Sequence, residues 1–263
     1  MYNMSSQRFI VLGDPQVGNV VQEERTIAKM TRILREIRED DVVLVPGDLT
    51  DKGVVKGDSF FHRYLVFCAC AREEGHVPPR DQLRTFRDTV VAPLSERCKN
   101  VLVCVGNHDE YTQTWWGHQY PAAYVKDRHG GPVYAKTCNG VHVLCLSKYP
   151  TRANTEWMDA KLAATRSPFC VFFHFNTQGP YSDWWSPEDK ERFLGTLRKY
   201  GDRCAFVAEG HVHHSYADHV WHGFRTINGS GEEAVVVDVP VITTRSSSGR
   251  GKRVLGDVEA RLL

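Results

Sequence analysis

DVVLVPGDLTD, residues 41–51, is the stretch that decides the fold. Its run DVVLVP is short and continuously apolar, as a strand covered on both faces requires; a half-solvated strand would alternate instead. The run ends at Pro46-Gly47 and gives way to Asp48, Thr50 and Asp51. Working outward, the same grammar recurs. FIVL leads into GDPQ (Gly13 to Gln16), NVLVCV into GNHD (Gly106 to Asp109), CVFF into the lone His174 of FFHF, and CAFVAE into GHVH (Gly210 to His213). Asp, Asn and His thus recur where buried strands should end. In open α/β sheets, ligand sites lie beyond the carboxyl ends of the strands. Asp14, Gln16, Asp48, Asn107, His174, His211 and His213 are therefore expected to meet in one cleft and offer oxygen and nitrogen ligands to a pair of metal ions.

The segments between these motifs set the architecture. Residues 8–13 read as a strand and 20–38 as a helix capped by Asn19, with Ile27, Met30, Leu34 and Ile37 on one face. Helices are expected over 58–74 and 81–96, and a strand over 100–105. Residues 110–131 read as irregular. PVYAKTC and GVHVLCLS, joined by Asn139-Gly140, predict a β-hairpin. A helix over 155–165, a strand over 169–174 and an aromatic loop over 176–186 follow. Ser186 caps a helix with Pro187 as its first residue. After the strand 204–208, residues 215–242 alternate like antiparallel strands around Asn228-Gly229, and 243–253 read as a mobile loop. The β-α-β opening and antiparallel second half predict an α/β fold, a two-sheet β-sandwich flanked by helices, in a single domain over 1–263.

Composition narrows the partners. The chain has 263 residues and a formal net charge of +1. It shows no basic stripe, which argues against nucleic acid, and no long apolar run, which argues against a membrane span. The eight cysteines lie scattered, most in apolar runs, and form no CxxC pair. They read as buried thiols in a reducing compartment, so a cytoplasmic location is expected. A secretory leader is not expected either, because the chain enters its first strand within ten residues.

The ordered set GDPQ, GDLTD, GNHD, His174 and GHVH resembles the calcineurin-like metallophosphoesterase superfamily, whose usual pattern is D-x-H, G-D-x-x-D, G-N-H-D/E, H and G-H-x-H. One position departs: Gln16 stands where the family usually has histidine. Two branches also carry glutamine there, the complete S-transactivated protein (CSTP) branch and the manganese-dependent ADP-ribose/CDP-alcohol pyrophosphatases. KYPTRANTEWMDAKL and FFHFNTQGPYSDWW resemble the first more closely.

The resemblance implies an α/β/β/α architecture and a phosphoesterase using two divalent ions to activate water for in-line attack on phosphorus. Manganese is favoured, with iron, zinc or magnesium as alternatives. One ion would be held by Asp14, Asp48 and His213 with Gln16 beside it, the other by Asp48, Asn107, His174 and His211. Gln16 is open to two readings, a ligand or a partner of a metal-bound water. His108 would stabilise the transition state or protonate the leaving oxygen, with Asp109 orienting it and Asp51 supporting the GDLTD turn. Taken singly, an Asp or Asn after a strand is more often a turn or cap residue. Trp115, Trp116, Tyr181 and Trp184 are candidates for gripping substrate, and loop packing is the competing role. Three functions follow: hydrolysis of a phosphomonoester on a small molecule or phosphoprotein, cleavage of a nucleotide diphosphate, or non-catalytic docking at a weakened metal site.

Overall fold

The computed structural model describes residues 2–51, 82–110, 120–213, 218–244 and 252–263. The helix expected over 58–74, together with Trp115 and Trp116, lies outside these residues.

Two mixed sheets form the frame. In the first, strand β1 (Tyr2–Val11) is followed by helix α1 (Val20–Glu36) and strand β2 (Val42–Val45), which pairs parallel to β1 with Phe9 opposite Val42. All of β2 is buried, in keeping with its unbroken apolar run. Helix α2 then runs as consecutive segments, Gln82–Phe86, the π-helical Arg87–Val91 and Ala92–Arg97. It leads to β3 (Asn100–Val103), parallel to β2. Helix α3 (Tyr120–His129) lies within the stretch expected to be irregular.

The second sheet opens with the hairpin of β4 (Val133–Cys138) and β5 (Val141–Leu146). Asn139 (φ 45°) and Gly140 (φ 87°) form its turn, the left-handed pair that a tight hairpin demands. Helix α4 (Arg152–Ala163), β6 (Phe169–Phe172), helix α5 (Pro187–Lys199) and β7 (Cys204–Glu209) follow. The sheet ends with β8 (Asp218–Trp221) and β9 (Phe224–Asn228). Its order is β4-β5-β6-β7-β9-β8. The expected antiparallel second half is corrected here: β5, β6, β7 and β9 run parallel, and only the edge pairings are antiparallel. The β8–β9 hairpin turns at His222-Gly223, not at Asn228-Gly229. After Asn228 the chain crosses back to the first sheet as β10 (Val235–Thr244), antiparallel to β1 along its length, joined by β11 (Lys252–Leu255) and β12 (Glu259–Leu262). Both ends of the stretch expected as a mobile loop are therefore strand, and residues 245–251 lie outside those described.

The core sits between the sheets and on their outer faces. Along β6, Cys170 and Phe172 join the inner core while Phe169 and Val171 face outward onto Met158, Leu162, Phe193 and Leu197 of α4 and α5. Phe9 meets Phe206 edge-on across the interior at 5.3 Å. Helix α1 keeps the expected face at Met30, which is buried, and at Leu34 and Ile37, which pack partly buried against the core, but corrects it at Ile27, which is 57% exposed; Gln22, Thr26, Lys29 and Ile33 are buried as well. The first half of the helix lies under polar loops, so its inward stripe is polar there and apolar only further on.

Candidate metal centre

The carboxyl ends of β1, β2 and β3 bring Asp14, Asp48 and Asn107 to one edge of the first sheet. The ends of β6 and β7 bring His174, His211 and His213 from the second. Asp48, His174 and His211 each offer a ligand atom within 4.8 Å of the others, and so do Asp14, Asp48 and His213. Asp48 belongs to both groups. Asp14, Gln16, Asp48 and His211 all adopt left-handed backbone, with φ of 45°, 38°, 47° and 72°. Non-glycine residues rarely do so, and such strain collects at functional sites. The motif glycines make room for the ligands: a Cβ on Gly106 would lie 2.0 Å from Asp48 Oδ1, and one on Gly210 would lie 2.7 Å from Asp14 Oδ1.

Hydrogen bonds fix how the ligands face. His174 Nδ1 lies 2.9 Å from the Pro46 carbonyl oxygen, which can only accept, so Nδ1 carries a hydrogen. Nε2 then points at Asn107 Oδ1 (2.8 Å) and Asp48 Oδ1 (3.3 Å). Asp48 is held by its neighbours: the His108 amide donates to Oδ1 at 2.9 Å, and the Gln16 amide to its carbonyl at 2.8 Å. Gln16 itself is buried, with its backbone tied to Asp48 and, through its carbonyl, to Asn19.

The chemistry of these donors fits cations. Asp14 and Asp48 are both buried, and the oxygens of Asp14 face the imidazoles of His174 at 3.4 Å and His213 at 3.2 Å. His211 Nε2 is buried and lacks a hydrogen-bond partner. Ionised carboxylates buried together are costly without positive charge beside them. Burial pushes Asp14 upward, but His174 and His213 outweigh it and hold Asp14 well below the usual carboxylate range. Burial lowers His174, yet Asp48 and Asp14 drive it well above the usual imidazole value. A proton between Nε2 and two oxygens thus occupies a position where a cation would do the same electrostatic work. Burial and the His174 charge push His211 down to about 4, leaving it the neutral imidazole that a metal ligand must be.

The expected roles of two aspartates are reversed in the geometry. Asp109 takes Leu49 N (3.1 Å) and Gly106 N (2.9 Å) on one oxygen, and the Thr50 amide and hydroxyl (both 2.9 Å) on the other. It ties the GDLTD loop to the GNHD loop. The carboxylate beside the imidazole of His108 is Asp51, whose Oδ1 lies 3.3 Å and whose carbonyl oxygen lies 3.1 Å from Nδ1. Asp109 follows His108 directly, and sequence adjacency concealed that its side chain turns the other way.

Sequence reasoning missed a buried polar row on α1. Gln22 Nε2 lies 2.7 Å from His213 Nδ1, Thr26 Oγ1 donates to Pro15 O (3.1 Å), and Lys29 Nζ donates to Gly13 O (3.0 Å) and Gly229 O (3.3 Å). The signal was available: polar residues at i, i+4 and i+7 continue directly into the stripe of Met30 and Ile33. Asn228 was likewise read only as a turn residue, yet its Nδ2 donates to Gly210 O at 3.0 Å, bracing the GHVH loop.

A cavity of about 510 Å³ opens over the site, lined among others by Asp48, Asn107, His108, His211, Val21 and Arg25. Tyr181 and Trp184 line it too, 55% and 45% exposed, with the Trp184 ring 4.6 Å from that of His211. Trp185 and Trp221 are buried packing residues.

The calcineurin-like phosphoesterase family model matches residues 7–215, and the chain belongs to that family. That family is one of metal-dependent phosphoric ester hydrolases built on dinuclear metal centres, and the two ligand groups here are of the kind such a centre needs. The fold is similar to that of a dimetal phosphatase from Danio rerio, with 13% identity and a TM-score of 0.58 over 97% of this chain and 98% of that one. It is also similar to a protein described as a 5'-nucleotidase from Staphylococcus aureus, with 11% identity and a TM-score of 0.56 over 97% of this chain. The chain spans about half of that protein, 54% of its length. No curated protein matches the sequence.

Proposed function

Because the chain belongs to the calcineurin-like phosphoesterase family, we propose that it hydrolyses a phosphomonoester with two divalent cations, manganese foremost and iron, zinc or magnesium as alternatives. Asp14, Asp48 and His213 hold one, with Gln16 beside it; Asp48, Asn107, His174 and His211 hold the other. The observation that carries this reading is the membership of Asp48 in both ligand groups. When bound, the cations supply charge neutralisation on the phosphoryl oxygens and activation of water.

The remaining work falls to the chain's own groups. His108 lines the cavity, and its Nδ1 faces two oxygens of Asp51. Those acceptors hold the Nδ1 hydrogen and orient the ring; burial lowers His108, but Asp51 and Asp48 outweigh it and raise it above its ordinary value, so the doubly protonated ring donates its Nε2 proton to the leaving oxygen. Asp109 acts one step back, by holding the two loops that carry Asp48 and Asn107. Tyr181 and Trp184 form an aromatic wall against which the leaving group packs. The oxygen-rich ligand set, with Gln16 in place of histidine, supports manganese over zinc, and with the 176–186 loop on the cavity it supports placement in the CSTP branch. Buried free thiols at Cys104, Cys145 and Cys170 suit a reducing, cytoplasmic location.

One observation favours a second reading, cleavage of a nucleotide diphosphate: Arg25 lines the same cavity and offers a cation to a second phosphate. A turnover panel with added manganese separates the two. Phosphomonoesters, including phosphopeptides, should be hydrolysed faster than diesters and ADP-ribose. Preference for ADP-ribose would overturn the monoesterase reading, and no turnover of any of them would favour non-catalytic docking.

A further inference from the structure

Gln22 is buried, 8% exposed, at the start of α1. Its amide Nε2 lies 2.7 Å from His213 Nδ1, while its Oε1 is buried with no hydrogen-bond partner. On the other side of the ring, His213 Nε2 lies 3.2 Å from Asp14 Oδ2. In this arrangement the amide N–H donates to Nδ1, so the ring hydrogen sits on Nε2 and faces Asp14.

That tautomer is the wrong one for a metal ligand. To bind a cation through Nε2, the imidazole must keep its lone pair there and carry its hydrogen on Nδ1. An Nδ1–H facing an amide N–H is repulsive. The amide can resolve the conflict by turning half a revolution about its terminal torsion, which brings Oε1 to Nδ1. Oxygen and nitrogen of an amide occupy nearly the same space, so the turn needs no repacking. Nothing resists it: Oε1 has no partner to lose, and whichever amide atom points away is unpartnered in either orientation.

We propose that Gln22 is a positioning residue for the cation held by Asp14, Asp48 and His213: its amide turns to accept the Nδ1 hydrogen and holds His213 in the metal-binding tautomer. The proposal rests on the two-cation reading of the site. Gln22 touches neither His174 nor His211 in any described contact, so the other cation position should be insensitive to it.

Manganese titration calorimetry of the full chain tests this. Gln22→Met keeps the length and removes the acceptor; it should weaken one of the two binding steps 10- to 100-fold and leave the other unchanged. Gln22→Glu is acceptor-only and should bind at least as tightly as the unaltered protein. Equal binding in Gln22→Met, or equal losses in Gln22→Glu and Gln22→Met, would overturn the proposal. If the unaltered chain binds no cation, the two-cation reading itself fails. A measurement on the unaltered chain does not depend on the folding of a variant: nitrogen NMR of His213 with zinc bound should show the hydrogen on Nδ1. A hydrogen remaining on Nε2 would overturn the role.

Discussion

At the scale of single residues, the site divides into groups that hold charge and groups that hold loops. Asp48 faces both ligand groups, whereas His108 contributes its backbone amide to Asp48 and its ring to the cavity. Asp48→Asn should therefore lose bound metal and activity together. His108→Ala should keep the metal, since a backbone amide survives the substitution, and lose on the order of 10²–10⁴ in rate. Metal analysis beside initial rates checks both; loss of metal in His108→Ala would reassign it. Most of this division was legible in the sequence, because each ligand follows a strand-like run directly. The exceptions share a cause. Asp51 and Asp109 stand in motifs of similar composition, and which carboxylate turns toward His108 is decided by how two loops pack, not by either loop's own residues.

Helix α1 is the element whose inward face sequence periodicity read only in its second half: Met30, Leu34 and Ile37 pack on the core as expected, but Ile27 does not, because counting apolar residues ignores a polar stripe buried under polar loops. Lys29 is the sharpest case. Burial pushes its ammonium down to about 8 from an ordinary 10.5, even with Asp14 nearby pulling it up. Between those values the folded chain has shed the proton while the unfolded chain still binds it. Unfolding then takes up a proton, so stability rises with pH across that window, by on the order of 3 kcal/mol if the shift is fully expressed. Denaturant unfolding of the metal-free protein from pH 7.5 to 10.5 should show this climb, and Lys29→Met should lack it. A parallel pH course in the two proteins would place the ammonium in contact with water. The hairpin at Asn139-Gly140 and the cap at Asn19 were readable in advance, since each is set by local backbone chemistry. The parallel pairing of β9 with β7 was not, because β9 joins by strand order across the sheet rather than by adjacency in the chain.

Across the whole molecule, the ligands come half from each sheet: Asp14, Asp48 and Asn107 from the first, His174, His211 and His213 from the second. Cations bound there would tie the sheets together at one edge of the interior, and only the folded chain presents all six groups. Manganese at a hundredfold excess over its dissociation constant should stabilise the protein by about 2.7 kcal/mol per site. Thermal unfolding with manganese and with chelator should show the difference, and Asp48→Asn should abolish most of it. The pairing of β1 with β10, which sets Tyr2 against Thr244 and Val11 against Val235, bears on how the protein is made. Strand β1 thus has one of its two neighbours more than two hundred residues later in the chain. Contacts so distant in sequence close slowly, and the Gly13 amide beside Asp14 waits for the Gly229 carbonyl in the same way. A nascent chain halted before residue 229 would carry Asp14 and Asp48 without the frame that holds them, so the site stays incomplete until the distant partner of β1 has been made.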